Sequence, residues 1–178
     1  MKALTVKQPW AQLICDGIKP IENRTWKTNF RGRVLIHASA KPERVTLEME
    51  GQATVKEIEM LSALNFAEEN NLFGCIIGSV EIVDCVQNHP SMWADKGVWN
   101  WVLAKPVLFA KPIENVKGKL SFWESEYEVC HICGQISDII CGDCGEYFCP
   151  NCSSHYNQFT QIDYDCCKLC SRAKIERD

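Results

Sequence analysis

Cysteine pairs carry the densest chemistry of the C-terminal third of the chain. Four Cys-x-x-Cys pairs follow one another there: Cys130 and Cys133, Cys141 and Cys144, Cys149 and Cys152, and Cys167 and Cys170. A Cys-x-x-Cys turn presents two thiolates to one tetrahedral zinc ion, and two such turns fill one site. The sequence therefore predicts two Zn²⁺ ions. A closed four-thiolate site leaves no position for water, so we expect both ions to be structural.

A second set of chemistry-bearing residues lies near the N-terminus. Glu22, Arg24 and Trp26 alternate along a strand-like segment, and side chains two residues apart share one face of a strand. Lys19 stands just before them. A lysine, a carboxylate, a guanidinium and an indole at one place can grip a phosphate, pair with a base edge and stack on a ring. On spacing alone, the simpler interpretation is an ion pair that holds a turn, with Trp26 in the core.

The charge distribution is compatible with an anionic ligand. The whole chain has a net charge of −4, but residues 1–44 hold nine Lys and Arg against three acidic residues. A locally basic segment attracts anions even when the protein as a whole is acidic.

The cysteine distribution and the apolar stretches indicate where in the cell the protein is found. Nine of the twelve cysteines lie after residue 129, and in a reducing compartment clustered cysteines are metal ligands rather than disulfides. The N-terminus lacks the pattern of a signal peptide, and the most apolar stretch, Gly74–Val86, is too short to span a membrane. We therefore expect a cytoplasmic protein, or a nuclear one if the source is eukaryotic, without a membrane partner.

The elements that must position these residues form an α+β pattern with two domains, residues 1–126 and 127–178. Pro9 can start a short helix that Gly17 ends, and residues 43–70 are charged and helix-prone. The expected strands are Lys2–Val6, Glu22–Trp26, Gly32–Ser39, Gly74–Val86, Val98–Leu103 and Val107–Phe109. Strands interrupted by helices near the N-terminus indicate a small mixed sheet or barrel.

The first domain resembles a known family. The signature Gly17-x-Lys19-x-x-Glu22-x-Arg24 is typical of the ASCH family, a relative of the PUA domains. Three further stretches fit it: Lys7-Gln8-Pro9-Trp10-Ala11, Arg31-Gly32-Arg33-x-x-Ile36-His37-Ala38 and Gly74-Cys75-Ile76-Ile77-Gly78-Ser79-Val80-Glu81. Within the family, the likeness is to the ASCH domain at the end of the activating signal cointegrator proteins. It covers residues 1–125 and implies a PUA-like mixed β-barrel with flanking helices and a cleft beside the first helix.

The resemblance favours nucleic-acid binding in that cleft, with a single-stranded or modified base of RNA as the expected partner. Basic side chains would neutralise phosphates, Trp10 or Trp26 would stack on a base, and Gln8 and Glu22 would read a base edge. Spacing from Leu13 and Ile14 makes a core position for Trp10 an equal alternative. The candidate nucleic-acid-binding residues are Lys7, Gln8, Trp10, Lys19, Glu22, Arg24, Trp26, Arg31 and Arg33. Trp93 is expected to pack the barrel, with a ligand-facing position as its alternative.

Two other functions remain open from the sequence. Lys19, Glu22 and Glu81 can form an acid–base set in a ribonuclease or a modified-nucleoside amidohydrolase. The family's amidohydrolase branch carries a threonine where Glu22 stands, so we do not expect acyl-enzyme chemistry here. The third function is a protein-interaction adaptor, in which the zinc module contacts a protein partner.

The zinc module itself resembles cross-brace fingers of the B-box and RING type, because only four residues separate Cys144 from Cys149. That resemblance implies that the first and third pairs share one metal, while the second and fourth share the other. His155 and Cys166 are alternates for the last ligands, and His131 is expected to face solvent. Eight thiolates outweigh two Zn²⁺, so the module would be acidic and better suited to a protein partner than to phosphates.

Overall fold

The computed structural model describes residues 1–43, 54–142, 144–153 and 167. The chain divides into two compact units, one comprising Met1–Glu124 and the other beginning at Ser125. None of the helices in the described ranges has the length and apolar composition that crossing a bilayer requires.

Among its described residues, the first unit consists of a six-stranded mixed sheet and two helices. In chain order they are β1 Lys2–Val6, α1 Trp10–Cys15, β2 Ile21–Arg24, β3 Gly32–Ala38, α2 Val55–Glu69, β4 Cys75–Gln87, β5 Trp99–Ile113 and β6 Phe122–Glu124. The strand order is β2-β5-β4-β3-β1-β6. β1 and β3 pair in parallel, and every other neighbouring pair in this sheet is antiparallel.

Aromatic packing shows that this sheet is rolled. β5 and β6 are four positions apart in the strand order, which would separate them by roughly 19 Å in a flat sheet. Yet the rings of Trp101 on β5 and Phe122 on β6 stack with centroids 5.1 Å apart. Trp26 packs edge-on against both rings, at 4.6 and 5.6 Å. The sheet therefore curves into a half-barrel, which confirms the α+β, PUA-like fold that the resemblance implied.

β5 differs from the sequence expectation of two strands separated by Lys105-Pro106. The structure has one continuous strand over Trp99–Ile113, and its register against β4 shifts between Ser79 and Glu81. Lys105 adopts a φ of 47° at this irregularity. A bulge accommodates both a left-handed residue and a proline, so the strand continues through a sequence that reads as a break.

A close backbone approach anchors the segment between β5 and β6. The ring of His37 is buried, and its Nε2 lies 2.9 Å from the carbonyl oxygen of Val116. A Cβ on Gly118 would lie only 2.5 Å from His37 Cε1 and 2.9 Å from Thr5 Oγ1. Only glycine fits there. The close contact of Gly118 with His37 and Thr5 holds the rim segment Lys119–Ser121 near the end of β1.

The Gly118→Ala substitution should destabilise the first unit. The added methyl group overlaps the buried His37 ring, and overpacking of this kind costs about 1–3 kcal/mol. Denaturant unfolding measures the loss. Leu120→Ala is the matched control on the same segment, because the Leu120 side chain is 95% exposed and should change the free energy of unfolding little. Equal stabilities of the two variants would contradict this account of the anchor.

Candidate nucleic-acid cleft and candidate metal centre

A cavity of about 480 Å³ opens in the first unit beside α1 and β2. Its walls come from the end of β1, the start of α1, β2, the start of α2, and the segments before β5 and β6. The lining residues are Thr5, Val6, Lys7, Trp10, Lys19, Glu22, Asn23, Arg24, Ser39, Glu43, Lys56, Trp93, Asp95, Lys119, Leu120 and Ser121.

Lys19, Glu22 and Arg24 form a row of linked charges in this cavity. Lys19 Nζ donates to the carbonyl oxygen of Ile21 and lies 3.5 Å from Glu22 Oε2. The other carboxylate oxygen, Glu22 Oε1, lies 2.9 Å from Arg24 Nε. Arg24 also donates from Nη2 to the carbonyl oxygen of Thr5 at 2.8 Å. The row thus ties β2 to β1, and each member has a partner before any ligand binds.

The turn after α1 delivers Lys19 to this row. The backbone N–H groups of Ile18 and Lys19 both donate to the carbonyl oxygen of Leu13, at 3.0 Å each. Gly17 makes the reversal with a φ of 79°, a conformation that favours glycine. The backbone turn therefore explains why the ASCH-like signature has a glycine two residues before the lysine.

Burial sets the electrostatics of the row. The side chain of Lys19 is only 5% exposed and that of Glu22 only 9%. Burial lowers the pKa of the Lys19 ammonium, and the nearby Glu22 carboxylate opposes that shift. A cation in so dry a place interacts strongly with any anion that reaches it.

Two tryptophans form the aromatic part of the cavity. The rings of Trp10 and Trp93 meet edge to face with centroids 6.3 Å apart. Lys19 lies over the Trp10 ring at 5.8 Å, and Lys56 lies over the Trp93 ring at 5.4 Å. Trp10 therefore lines the cavity and also packs against its neighbours.

Asn23 holds the segment that carries Trp93. Its side-chain amide donates to the carbonyl oxygen of Trp93 at 2.9 Å. Its Oδ1 accepts from the backbone N–H of Asp95 at 3.2 Å and from the Asn100 amide at 2.9 Å. Asn23 thus fixes one wall of the cavity.

The candidate residues from the sequence divide into two groups. Lys7, Trp10, Lys19, Glu22 and Arg24 line the cavity, whereas Gln8, Trp26, Arg31, Arg33 and Glu81 do not.

Those outside the cavity have other partners. The buried amide of Gln8 donates to the carbonyl oxygen of Leu72 and accepts from the N–H of Gln12, so it fixes α1. Trp26 packs in the half-barrel. Arg31 Nη2 lies 2.9 Å from Asp84 Oδ1.

Glu81 lies in a separate charge cluster. Its carboxylate pairs with Arg33 at 3.4 Å and with Lys105 at 3.1 Å, and Arg33 also donates to Ser79 Oγ at 2.9 Å. This cluster spans the bulge between β4 and β5. Lys19 and Glu22 thus share the cavity, while Glu81 lies elsewhere.

In the second unit, the thiols of the first and third cysteine pairs come together. The sulfur atoms of Cys130, Cys133, Cys149 and Cys152 all lie within 4.8 Å of one another, and those of Cys133 and Cys149 are 3.5 Å apart. Zn–S bonds of 2.3 Å place tetrahedral sulfurs about 3.8 Å apart, so these four thiols fit a zinc ion. The grouping agrees with the crossed pairing of the resemblance.

The first two cysteine pairs adopt the same turn. The Cys130 N–H donates to the carbonyl oxygen of Gln135, and the Gly134 N–H donates back to the carbonyl oxygen of Cys130, both at 2.8 Å. Cys141 and Gly145 repeat the pattern, with Cys141 donating to the carbonyl oxygen of Glu146. The two glycines have φ values of 76° and 73°. The glycine after each of these two pairs is therefore required by the turn itself.

Hydrogen bonds from the first and third cysteine pairs favour a thiolate at Cys130. Burial alone would raise its pKa, but backbone hydrogen bonds at Cys133, Cys149 and Ile132 outweigh burial and lower the pKa of Cys130 to about 7. Thiolates are the form that binds metal, so this shift suits Cys130 to be a ligand, whereas burial raises the pKa of Cys133 and Cys152 in the same group.

Three more thiols form a second group. The Cys167 N–H donates to Cys141 Sγ at 3.4 Å, and the sulfurs of Cys144 and Cys167 lie 4.0 Å apart. The remaining candidates from the sequence, Cys170, Cys166 and His155, lie outside the described residues.

The sequence comparisons agree with the geometry of the first unit. A family model described as the ASCH domain matches residues 4–113, more than half of the chain. The chain belongs to the ASCH domain family. It is similar to activating signal cointegrator 1 of Homo sapiens, with 39% identity over 84 residues, and to the Mus musculus protein of that name, with 37% identity over 84 residues. The matched part is 47% of this chain but only 14% of either relative.

The ASCH match includes most of the cavity wall but not all of it. It contains Trp10, Lys19, Glu22, Arg24 and Trp93, whereas the rim segment Lys119–Ser121 and the cysteine-rich unit lie beyond it.

Several lining residues were not predicted from the sequence, among them the polar and charged Asn23, Lys56, Asp95 and Lys119. Asn23 lies inside the ASCH signature, between the candidate residues Glu22 and Arg24, so its position in the signature could have identified it. The others reach the cavity from a helix start and from loops, where periodicity says nothing about orientation.

Replacing Glu22 by Gln should destabilise the first unit markedly. It leaves the buried Lys19 without its carboxylate partner, and breaking a buried ion pair costs about 3–5 kcal/mol. Thermal and denaturant unfolding measure the loss. Glu124→Gln is the matched control, because Glu124 pairs with Lys2 at the surface and its loss should leave the stability unchanged. Equal effects of the two substitutions would show that the row does not hold the fold.

Proposed function

We propose that the ASCH cavity binds one nucleotide of a single-stranded nucleic acid, with RNA as the preferred partner. The observation that carries this proposal is the buried Lys19–Glu22–Arg24 row facing two tryptophans in one cavity. The cavity's volume of about 480 Å³ falls in the range of roughly 300–1,000 Å³ typical of small-ligand sites. It therefore suits a single base and its phosphate better than a duplex footprint.

The charges of the cavity wall favour a phosphate. Five basic residues line it (Lys7, Lys19, Arg24, Lys56 and Lys119) against three acidic ones (Glu22, Glu43 and Asp95). The cavity is thus locally positive, although the chain as a whole has a net charge of −4. Lys7 is half exposed at the rim, paired with Glu43 at 2.9 Å, so it can exchange that partner for a phosphate.

The aromatic and polar walls suit a base. Stacking on a tryptophan is worth about 1–3 kcal/mol per base and tolerates any base, which fits Trp10 and Trp93. The buried row supplies fixed donors and acceptors for a base edge. Because Asn23 and Arg24 already hold the walls in place, the site loses little conformational entropy when it binds.

For the second unit we propose two structural zinc ions and contact with a protein partner. Its boundary with the ASCH domain falls near residue 126. One zinc ion is held by Cys130, Cys133, Cys149 and Cys152, and the other by Cys141, Cys144, Cys167 and a fourth ligand. Thiolates in excess of the zinc charge make the unit acidic, which favours a basic protein surface over a phosphate backbone.

A hydrolase is the second candidate function. It is favoured by the buried Lys19, whose pKa burial lowers, beside the Glu22 carboxylate. Release of shortened RNA or of a deacylated nucleoside, lost in Lys19→Arg while binding persists, would support it.

Single-stranded RNA should bind through the cavity rim. Lys56→Ala and Lys119→Ala each remove one cation from the wall and should weaken binding several-fold at low salt. Each should also lower the slope of log affinity against log salt concentration by about 0.7. Fluorescence anisotropy with labelled single-stranded RNA, single-stranded DNA and duplex RNA makes the measurement.

Lys105→Ala is the control for this binding experiment. It removes the same charge from an exposed site outside the cavity, so affinity and salt slope should stay those of the unmodified chain. No binding to any of the three nucleic acids at low salt would overturn the proposed function. An equal loss of affinity in Lys105→Ala would show that the nucleic acid binds outside the cavity.

Zinc removal should unfold the second unit and spare the first. The described cysteine-rich core consists mostly of the ligand thiols with Phe148, and it has too little apolar surface to persist without metal. Amide NMR spectra of the full chain with excess chelator should lose the dispersed signals after Ser125 and keep those of Met1–Glu124. Retention of every signal in metal-free protein would contradict a structural role for zinc.

A further inference from the structure

The second group of thiols is the candidate site of a second zinc ion. Zinc in a structural site takes four donors, and the cysteines that the described residues bring together are Cys141, Cys144 and Cys167. A histidine stands beside two of them: a ring nitrogen of His131 and the sulfurs of Cys144 and Cys167 all lie within 4.8 Å of one another, and Cys141 is joined to this group by its sulfur, which accepts from the Cys167 N–H at 3.4 Å. His131 is exposed, as expected from its position between two ligands of the other site.

The backbone explains why His131 reaches this group. It follows Cys130 in the first turn, and its N–H donates to the carbonyl oxygen of Tyr147 at 2.8 Å. Tyr147 in turn pairs with Ile140 in an isolated bridge, next to Cys141. The first turn is therefore fastened to the strand-like arms of the second turn. While Cys130 and Cys133 contribute to the first group of thiols, His131 between them lies beside the second.

We propose that His131 is the fourth ligand of the second zinc site, together with Cys141, Cys144 and Cys167. This inference rests on the proposed function of the second unit, which holds two zinc ions. Zn–S bonds of 2.3 Å and a Zn–N bond of about 2.0–2.1 Å place two tetrahedral sulfurs about 3.8 Å apart, and a sulfur and a nitrogen about 3.6 Å apart. The sulfurs of Cys144 and Cys167 are 4.0 Å apart, close to that geometry. The His131 nitrogen, within 4.8 Å of both sulfurs, would move toward them by at most about 1.2 Å on binding the ion.

This assignment changes the chemistry of the unit in two ways. A neutral imidazole replaces one thiolate, so the second site carries one negative charge rather than two. The turn Cys130–Cys133 also gives ligands to both metals, so loss of the first metal releases a ligand of the second. The two sites then load and unload together, whereas a second site completed by Cys170 would share no turn with the first.

The decisive experiment uses the full chain loaded with ¹¹³Cd, which replaces zinc and couples through bonds to its ligands. We expect two cadmium resonances, with one of them coupled to the His131 ring. That resonance should shift toward the four-thiolate position in the His131→Cys variant and stay unchanged in Cys170→Ser. His155→Ala is the matched histidine control and should also leave both resonances unchanged.

The possible outcomes distinguish failure of the His131 assignment from failure of the two-zinc proposal. Two resonances with no coupling to His131, and a change in Cys170→Ser instead, overturn the assignment of His131 while the two-metal unit stands. Fewer than two bound metal ions per unmodified chain overturn the two-zinc proposal itself. Native mass spectrometry of the zinc-loaded chain gives that count independently, so a variant that fails to fold does not blur the result.

Discussion

The first unit is organised around one buried carboxylate. Glu22 lies between Lys19 at 3.5 Å and Arg24 at 2.9 Å, and all three side chains face the same cavity. Without that carboxylate, two cations would stand close together in a place nearly closed to water, which is costly. Because Arg24 also donates to Thr5, the carboxylate secures the contact between β2 and β1. The same group therefore stabilises the rolled sheet and sets the charge of its cavity.

The rolled sheet brings distant parts of the chain to this carboxylate. Trp101, Trp26 and Phe122 fill the interior where the two sides of the sheet approach each other. Outside that interior, the segments that carry Trp93 and Lys119 line the cavity. Asn23 helps to hold the first of them, and the close contact of Gly118 with His37 helps to hold the second. A rigid scaffold with functional residues on fastened loops is how many binding sites are built.

The sequence predicted those features that depend on local spacing. The strand Lys2–Val6, the turn at Gly17 and the meeting of Lys19, Glu22 and Arg24 follow from short-range rules and from the ASCH signature. It could not predict that Glu81 pairs with Arg33 and Lys105, because that depends on the register of β4 against its neighbours. Nor could it bring His131 beside Cys144 and Cys167, since hydrogen bonds position one turn of the cysteine-rich unit against another. The register between distant strands and the contacts that position loops leave no recognisable pattern in the spacing of residues along the sequence.

The most direct test of the account follows the tryptophan indole N–H signals by NMR during titration with a ribonucleoside monophosphate. We expect the signals of Trp10 and Trp93 to shift together, while those of Trp26 and Trp101, inside the half-barrel, stay in place. Inorganic phosphate alone should move the Trp10 and Trp93 signals less, because it offers no ring to stack. Unchanged Trp10 and Trp93 signals at millimolar nucleotide, or shifts confined to tryptophans outside the cavity, would contradict the claim that this cavity binds a nucleotide.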